Sequence, residues 1–198
     1  MTESNTVIRN ELRSELRAAR SRISPTEVTS RSAALARNLH PLLSQATHIA
    51  GYLAIGSEVD LTPIRSSLTT EQHFYVPVVK PGNQLIFTRL QEDTPLIPGS
   101  FGILEPVVDA SGGVDITALD VVLVPLVGFD RHCNRMGMGG GYYDRAFAHR
   151  REPSSLPTKP LLIGVAYDQQ EAPSVFPDWW DVTLDHIVTE SRTLNRPA

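Results

Sequence analysis

The sequence of 198 residues predicts an α/β fold built on a mainly parallel β-sheet. Residues 48–55, 121–127 and 161–167 are short, predominantly apolar segments, as expected of strands that are covered on both faces. Segments with helical spacing of apolar residues alternate with these strands, and this alternation is typical of parallel sheets. We therefore expect a three-layer, Rossmann-like arrangement with helices on both faces of the sheet.

Two helices are predicted at the start of the chain. Across residues 6–22, apolar side chains recur every three or four positions, and arginines follow the same spacing on a neighbouring face. The apolar set is Ile8, Leu12, Leu16, Ala19 and Ile23, and the basic set is Arg9, Arg13, Arg17 and Arg20. Residues 24–27, Ser-Pro-Thr-Glu, form a capping-box sequence with proline at the first helical position. A second helix is therefore expected up to about Leu39.

The middle of the chain predicts short strands joined by turns. After the strand at residues 48–55, Thr62 is expected to cap another helix. Residues 74–79 and 84–90 are predicted to form a hairpin, because the Pro-Gly-Asn sequence between them favours a turn. Residues 91–120 have no clear period and contain several prolines and glycines, so we expect loops there.

The second half of the chain contains the strongest strand. Residues 121–127 are apolar throughout and are expected at the centre of the sheet. A glycine-rich loop, a helix at residues 142–151 and strands at residues 161–167 and 186–190 are predicted after it. No shift in composition marks a domain boundary, so we expect residues 1–198 to form a single domain.

Composition limits the partners and the compartment. The formal net charge of −4 gives no global basic field, so we expect neither a nucleic acid nor a membrane as partner. The single cysteine, Cys133, cannot form an internal disulfide, which indicates a reducing compartment. No signal peptide and no run of about 18 apolar residues is present. We expect a cytoplasmic monomer with a small-molecule substrate.

A glycine-rich stretch at residues 135–144 carries the clearest chemical signal. Its glycines are Gly137, Gly139, Gly140 and Gly141. They leave backbone amides open to a phosphate, and the following helix would point its positive end at the same place. The stretch is neither G-x-x-x-x-G-K-[ST] nor G-x-G-x-x-G, since Tyr142 replaces the last glycine. Arg135 can neutralise phosphate charge and Asp144 can hold Mg²⁺, so a nucleoside triphosphate is favoured over a purely structural turn.

The same stretch resembles a known family. Residues 135–145, Arg-Met-Gly-Met-Gly-Gly-Gly-Tyr-Tyr-Asp-Arg, are similar to the R-L-G-x-G-x-G-[FY]-Y-D signature of the 5-formyltetrahydrofolate cyclo-ligase family. Further similar stretches follow in the expected order, at residues 12–27, 55–60, 125–130, 164–169 and 184–190. The resemblance implies ATP-dependent conversion of 5-formyltetrahydrofolate to 5,10-methenyltetrahydrofolate, with ATP as co-substrate and Mg²⁺ as cofactor.

The resemblance also implies a role for individual residues. Those implied in ATP binding are Arg9, Arg13, Arg135, Gly137, Met138, Gly139, Gly140, Gly141, Tyr142 and Tyr143, and Arg135 is also the implied catalytic residue. Those implied in folate binding are Leu53, Glu58, Phe101, Met138, Gly139, Gly140, Gly141 and Tyr142. Glu58 would accept hydrogen bonds from pterin N–H groups. Asp144 and Asp185 match the magnesium positions.

Three positions depart from the family pattern. Arg9 stands where lysine is usual, which keeps the charge and changes the hydrogen-bond geometry. Cys133 stands where glycine is common, in a loop that can require an unusual backbone angle. Gly140 replaces a lysine found in some relatives, so one phosphate contact is expected to be missing or supplied elsewhere.

Simpler interpretations of these residues stay open. Glu58 can cap the helix after its turn, Asp144 can be a first-turn acid favoured by the helix dipole, and Asp185 can be a surface residue. His132 and Cys133 are not expected to act as a nucleophile pair, because no third group is evident to orient them. For the whole chain, the alternatives are a phosphate-binding sugar-phosphate isomerase or CoA transferase, and a non-catalytic nucleotide-binding module.

Overall fold

The computed structural model describes residues 3–82, 84–99, 104–107, 113–151 and 159–197. Its strands are β1 (His48–Ala50), β2 (His73–Lys80), β3 (Gln84–Arg89), β4 (Leu96–Pro98), β5 (Leu104–Pro106), β6 (Val121–Pro125), β7 (Gly128–Phe129), β8 (Arg135–Met136), β9 (Leu161–Val165), β10 (His186–Val188) and β11 (Thr193–Asn195). Within the described residues, seven of these strands form the main sheet, in the order β11-β10-β9-β6-β1-β2-β3.

The interior of this sheet is parallel and its two edges are antiparallel. Strands β10, β9, β6, β1 and β2 run in the same direction. The edge strand β3 pairs antiparallel with β2, and β11 pairs antiparallel with β10. In the central strand β6, Val122 lies opposite Leu162 of β9 and Ala50 of β1. The predicted mainly parallel α/β sheet is confirmed.

Four α-helices occur in the described part of the chain: α1 (Glu3–Ser21), α2 (Pro25–Leu43), α3 (Thr62–Arg65) and α4 (Tyr142–Ala146). The predicted capping box is present, since the Glu27 N–H donates to Ser24 Oγ at 3.3 Å and the Glu27 carboxylate accepts the Ser24 N–H at 3.1 Å. Helix α2 continues past the predicted end at Leu39 and through Pro41. Burial of Leu43 stabilises this last turn although Pro41 donates no helical hydrogen bond.

Helices α2 and α4 lie on opposite faces of the sheet. On one face, Leu123 of β6 belongs to the same buried cluster as Leu35 and Leu39 of α2. On the other face, Val122 and Val124 share a cluster with Phe147, which follows α4. Successive side chains of a strand point to opposite faces, so the central strand contributes to both apolar layers. None of the described helices is long and apolar enough to cross a membrane.

Several local predictions differ from the structure. Thr62 is not a cap, because Leu61 occupies the cap position and Asp60 Oδ1 accepts the Thr62 N–H at 2.9 Å. Helix α4 ends at Ala146 and not at residue 151 as predicted. The buried Phe147, which follows Ala146, leaves helical geometry, and a 3₁₀ turn comes after it. The hairpins β4–β5 and β7–β8 and the edge strand β11 occur where no strand is predicted.

Candidate active site

The chain that follows β6 forms the β7–β8 hairpin, whose turn is held by Asp130. The Asp130 carboxylate accepts the backbone N–H groups of His132 at 2.9 Å and Asn134 at 3.2 Å. Between them Cys133 has a φ of 61°, in the left-handed region that favours glycine. Burial, reinforced by the Asp130 charge, raises the pKa of the Cys133 thiol to about 11. Asp130 therefore stabilises a turn in which cysteine occupies a backbone conformation suited to glycine.

The glycine loop, defined as residues 137–141, lies just beyond the carboxyl end of β6. The Met136 carbonyl accepts the Val127 N–H at 2.7 Å, which fixes the start of the loop at that edge of the sheet. Gly139 and Gly141 have φ values of 99° and 64°, so both positions need glycine. A Cβ atom at Gly137 or Gly139 would meet nothing within 4 Å. The loop backbone is therefore open to a ligand, as a phosphate-binding loop requires.

The short helix after the loop contributes less than the sequence predicts. Helix α4 has only five residues, and its N-cap residue, Gly141, has no side chain that could cap it. A macrodipole needs several aligned turns, so the amides of the glycine loop are the stronger feature for an anion.

Arg135 and Asp144, at the two ends of the glycine loop, form an ion pair. Arg135 is 7% exposed, and its Nη2 donates to Asp144 Oδ1 at 2.7 Å. Its Nη1 donates to the Val182 carbonyl, and the Val182 N–H donates to the same Asp144 oxygen at 3.0 Å. The other oxygen, Asp144 Oδ2, has no partner among the described residues. One side of this carboxylate is thus held and the other is available.

Helix α1 brings two arginines to the same edge. Arg13 Nε donates to the Gly137 carbonyl at 2.9 Å, and no carboxylate in the described residues pairs with Arg13. Burial, with a further contribution from the Arg9 charge, lowers the pKa of Arg13. Arg9 itself pairs with Asp178 and, at 2.9 Å, with Asp181. Of the two, Arg13 is the cation that a phosphate group could engage without displacing a carboxylate.

Glu58 follows β1 in a tight turn and is almost wholly buried. Its Oε2 accepts the Ile55 N–H at 3.1 Å, and its Oε1 lies 3.5 Å from Arg20 Nη2. Burial raises the pKa of the Glu58 carboxyl, while the Arg20 charge and the Ile55 N–H oppose that rise. At the start of the helix that follows, Leu61 occupies the cap position and Asp60 accepts the Thr62 N–H, so Glu58 does not serve as its cap.

The Tyr143 hydroxyl is buried beside these groups and has no hydrogen-bond partner in the described residues. Burial raises the pKa of Tyr143, an effect that the Arg135 charge opposes and the Glu58 charge reinforces. A buried hydroxyl rarely stays without a partner. Tyr143 therefore presents a neutral donor that is electrostatically coupled to both Arg135 and Glu58, where a ligand atom can complete its hydrogen bond.

The family model of 5-formyltetrahydrofolate cyclo-ligases matches residues 5–190. The chain belongs to this family. A 5-formyltetrahydrofolate cyclo-ligase of Haemophilus influenzae is 31% identical over 189 residues, which cover 93% of this chain and 98% of that protein.

Two solved structures resemble the whole fold. A 5,10-methenyltetrahydrofolate synthetase of Aquifex aeolicus has a TM-score of 0.81 and 32% identity, with 96% of this chain and 94% of that chain covered. A 5,10-methenyltetrahydrofolate synthetase of Mycoplasma pneumoniae has a TM-score of 0.70 and 26% identity, with 92% and 98% covered.

One residue implied by the cyclo-ligase resemblance has other partners in the structure. Both oxygens of Asp185 accept from Arg150 Nη2, at 2.6 and 2.8 Å, and Oδ2 also accepts the Leu162 N–H at 2.8 Å. Leu162 is near the beginning of β9, whereas the glycine loop follows the carboxyl end of β6. The described hydrogen bonds of Asp185 therefore connect it to Arg150, to β9 and to Arg196, and not to the glycine loop.

The remaining folate residues of the cyclo-ligase pattern lie in different parts of the chain, and their roles stay predictions. Leu53 is partly buried and packs against the core on the α2 face. Phe101 lies outside the described residues. At the position where some cyclo-ligases carry lysine, Arg145 Nη2 donates to the Gly140 carbonyl at 2.8 Å. The Arg145 guanidinium also stacks 5.2 Å from the Tyr142 ring, so a cation is present at this part of the loop.

The sequence indicated nothing special about four residues that form ion pairs with predicted site residues. Arg20 was expected only as part of a basic helix face, yet it contacts Glu58. Asp178 and Asp181 pair with Arg9, and the Asp178 contact spans 169 positions of sequence. Arg150, in the predicted helix, holds Asp185. The helical spacing of arginines along α1 is the one signal that could have suggested the contact between Arg20 and Glu58.

Proposed function

We propose that this chain catalyses the ATP-dependent cyclisation of 5-formyltetrahydrofolate to 5,10-methenyltetrahydrofolate, with release of ADP and phosphate. The observation that carries the proposal is the arrangement at the carboxyl edge of the sheet. There Arg135, Arg13 and the open glycine loop lie together, with the buried Glu58 in the neighbouring turn. Ligand sites of open α/β sheets lie at this edge.

The triphosphate of ATP is the ligand for which the loop is suited. Backbone amides of residues 137–141 and the Arg13 guanidinium would bind phosphate oxygens, and Arg145 would add a second cationic contact. Arg9 would take part by exchanging its carboxylate partners for phosphate, or by holding α1 in place. Met138, 57% exposed, and the Tyr142 ring would lie along the ligand on the open side of the loop.

The folate would bind beside Glu58. An ionised carboxylate accepts hydrogen bonds only, which matches the N–H groups along one edge of a pterin. Leu53 would supply apolar contact, and Phe101 is proposed by resemblance alone. Tyr143, coupled to both Glu58 and Arg135, would lie where the formyl group meets the γ-phosphate.

The reaction needs no nucleophile from the protein. The formyl oxygen attacks the γ-phosphorus and ADP leaves. N10 then attacks the activated formyl carbon and loses its proton to solvent, and the C–O bond breaks to release phosphate. Such phosphoryl transfer depends on positioning and on neutralising charge. The buried Cys133, whose pKa is raised to about 11, is unsuited to nucleophilic attack near neutral pH.

The residues present fit a magnesium ion that enters with the nucleotide. Asp144 Oδ2 has no partner in the described residues, and Mg²⁺ in nucleotide sites typically uses one or two carboxylates with phosphate oxygens and water. No group of three metal-binding side chains occurs in the described part of the chain. When bound, Mg²⁺ would neutralise phosphate charge. We assign the metal to Asp144, and Asp185 to its ion pair with Arg150.

An absorbance assay for methenyl-folate tests this function. The purified protein is expected to convert 5-formyltetrahydrofolate only when both ATP and Mg²⁺ are present. Product at the same rate without ATP would contradict the proposal, and ATP binding without product would favour a nucleotide-binding module. The monomeric state and the cytoplasmic location stay predictions that gel filtration and cell fractionation can test.

A further inference from the structure

Arg20 contacts two turns at the candidate active site, the turn after β6 and the turn after β1. It lies near the end of α1, with its side chain only 12% exposed. Its Nη1 donates to the Leu126 carbonyl at 3.2 Å, just after β6, and its Nη2 lies 3.5 Å from Glu58 Oε1, in the turn after β1. One guanidinium therefore joins the ends of two adjacent parallel strands at the edge where the folate is proposed to bind.

Glu58 has no other cationic partner among the described residues. The remaining hydrogen bond of its carboxylate comes from the Ile55 N–H at 3.1 Å, within its own turn. The pair is largely removed from water, since the Glu58 side chain is only 10% exposed. Leaving one charge of such a pair without its partner is costly, so removing Arg20 must change the state of Glu58.

The other titratable groups that face Glu58 are tyrosines. Tyr52 belongs to its own segment, Tyr143 comes from α4, and Tyr167, after β9, donates to the Glu58 carbonyl at 3.2 Å. Burial raises the pKa of all three hydroxyls, so each stays neutral near physiological pH. Glu58 is the carboxyl group of this cluster, and burial raises its pKa from the usual carboxyl value.

We infer that Arg20 is a positioning residue for folate recognition, which holds the Glu58 carboxylate ionised and aligned for the pterin N–H groups. The inference rests on the proposed function. It adds a residue of α1 that contacts neither ATP nor folate and acts through Glu58. A protonated Glu58 would present an O–H donor towards donors of the pterin, and the recognition would be lost.

The expected effect of losing Arg20 has a definite sign. Burial already raises the pKa of Glu58, and Arg20 opposes that rise. Without Arg20 the pKa of Glu58 rises further, so a larger fraction of the carboxyl is protonated at a given pH. Raising the pH ionises the carboxyl again and restores binding. A purely structural role of Arg20 would not produce this pH dependence.

The first test needs no substrate. Carboxyl titration by ¹³C NMR, with the Glu58 signal assigned through Glu58→Gln, measures the pKa in the free protein. Arg20→Gln is expected to raise it by about one unit or more, and Arg20→Lys, which keeps the charge, by less. An unchanged Glu58 pKa in Arg20→Gln overturns the inference. If Arg20→Gln does not fold, the same titration is made on Arg20→Lys. A Glu58 pKa that is not raised at all in Arg20→Lys then overturns the inference.

The second test measures the KM for 5-formyltetrahydrofolate across about pH 6 to 9. Arg20→Gln is expected to raise KM most at the acid end of this range, by at most about tenfold, which is the factor of one pKa unit. The excess should shrink as pH rises, and kcat should change little. Arg22→Gln removes an exposed arginine of the same basic segment and is the matched control. A KM change independent of pH, or equal to that of Arg22→Gln, contradicts the inference. Inactive wild-type protein would instead overturn the proposed function.

Discussion

The Arg135 guanidinium and the Asp144 carboxylate, nine positions apart, meet at 2.7 Å and close the glycine loop at its base. The pair is anchored by the Val182 backbone, whose carbonyl accepts from Arg135 and whose N–H donates to Asp144. Two residues expected to bind opposite charges on the ligand therefore neutralise each other in the protein alone. Binding of nucleotide and metal would redistribute this pairing.

The variant Asp144→Asn distinguishes two roles of Asp144, that of a metal ligand and that of an acid favoured at the end of a helix. Asparagine keeps the size and can still accept from Arg135, while the charge that retains a hard cation is lost. We expect turnover to fall about 100-fold, the scale for loss of a transition-state charge stabiliser, with partial recovery at high Mg²⁺. Initial rates over a range of Mg²⁺ concentrations measure this. Near-normal turnover at low Mg²⁺, with a loss of only about 0.3–1 kcal/mol of stability, would leave Asp144 a helix-end acid.

Arg13→Ala should weaken ATP binding more than it weakens the fold. Arg13 donates to the Gly137 carbonyl but has no carboxylate partner in the described residues. We expect a loss of about 1–3 kcal/mol in ATP affinity, as for a hydrogen bond to a charged group, and little change in melting temperature. Calorimetric titration with ATP and thermal unfolding measure the two effects. The exposed Arg17, one turn further along α1, supplies the control variant Arg17→Ala.

Arg9→Ala should behave differently from Arg13→Ala. Removal of the Arg9 side chain leaves Asp178 and Asp181, both only partly exposed, without their shared cation. We expect a measurable loss of stability, on the order of 1–3 kcal/mol, in addition to any effect on ATP. Chemical denaturation of the ligand-free protein checks it. Unchanged stability with strongly weakened ATP binding would show that Arg9 serves the nucleotide alone.

Asp120, which lies away from the candidate active site, should make a pH-dependent contribution to the stability of the fold. Burial works to raise its pKa, but bonds from Lys159 Nζ and from the His48 and Thr47 N–H groups lower it from 3.8 to about 2. Because the folded pKa is lowered, this stabilisation is complete above the unfolded value and is lost as pH falls towards about 2. Asp120→Asn should cost about 1 kcal/mol near neutral pH, since solvent screens the pair. Urea unfolding should show that the difference shrinks below about pH 4; a constant difference would contradict the assignment.

Cys133 should be unreactive in the folded protein. The thiol is buried, and its pKa is raised to about 11. We expect a thiol reagent to label it slowly under native conditions and rapidly in denaturant, and Cys133→Ser to retain turnover. Rapid native labelling combined with loss of turnover in Cys133→Ser would point to a reactive role.

The sequence was sufficient for the main sheet, the paired N-terminal helices and the family. Residues 121–127 are apolar throughout because β6 contributes side chains to both faces, and the Ser24–Glu27 box involves neighbours in sequence. Short edge elements were missed, since β4, β5 and β11 have three residues each and too little pattern to detect. The extent of α4 was overestimated because burial of Phe147, a tertiary effect, ends it.

The site was predictable to the extent that it is local. The glycine loop and its flanking Arg135 and Asp144 lie within ten residues, so their proximity follows from sequence. The contacts of Arg20 with Glu58 and of Arg9 with Asp178 depend on how α1 crosses the sheet edge, which no local pattern specifies. Asp185 matches a family position, but its pairing with Arg150 appears only in the folded chain. Whether any of these residues binds ligand stays a prediction.

Oxygen-18 labelling follows the oxygen atom that the proposed reaction transfers from the formyl group to phosphate. If the formyl oxygen is phosphorylated by ATP and leaves as phosphate, 5-formyltetrahydrofolate labelled with oxygen-18 in the formyl group must transfer that label to the released phosphate. Mass spectrometry of phosphate from a single-turnover reaction measures the transfer. The released phosphate is expected to carry the label in proportion to the methenyl-folate formed. Unlabelled phosphate alongside normal product would contradict it.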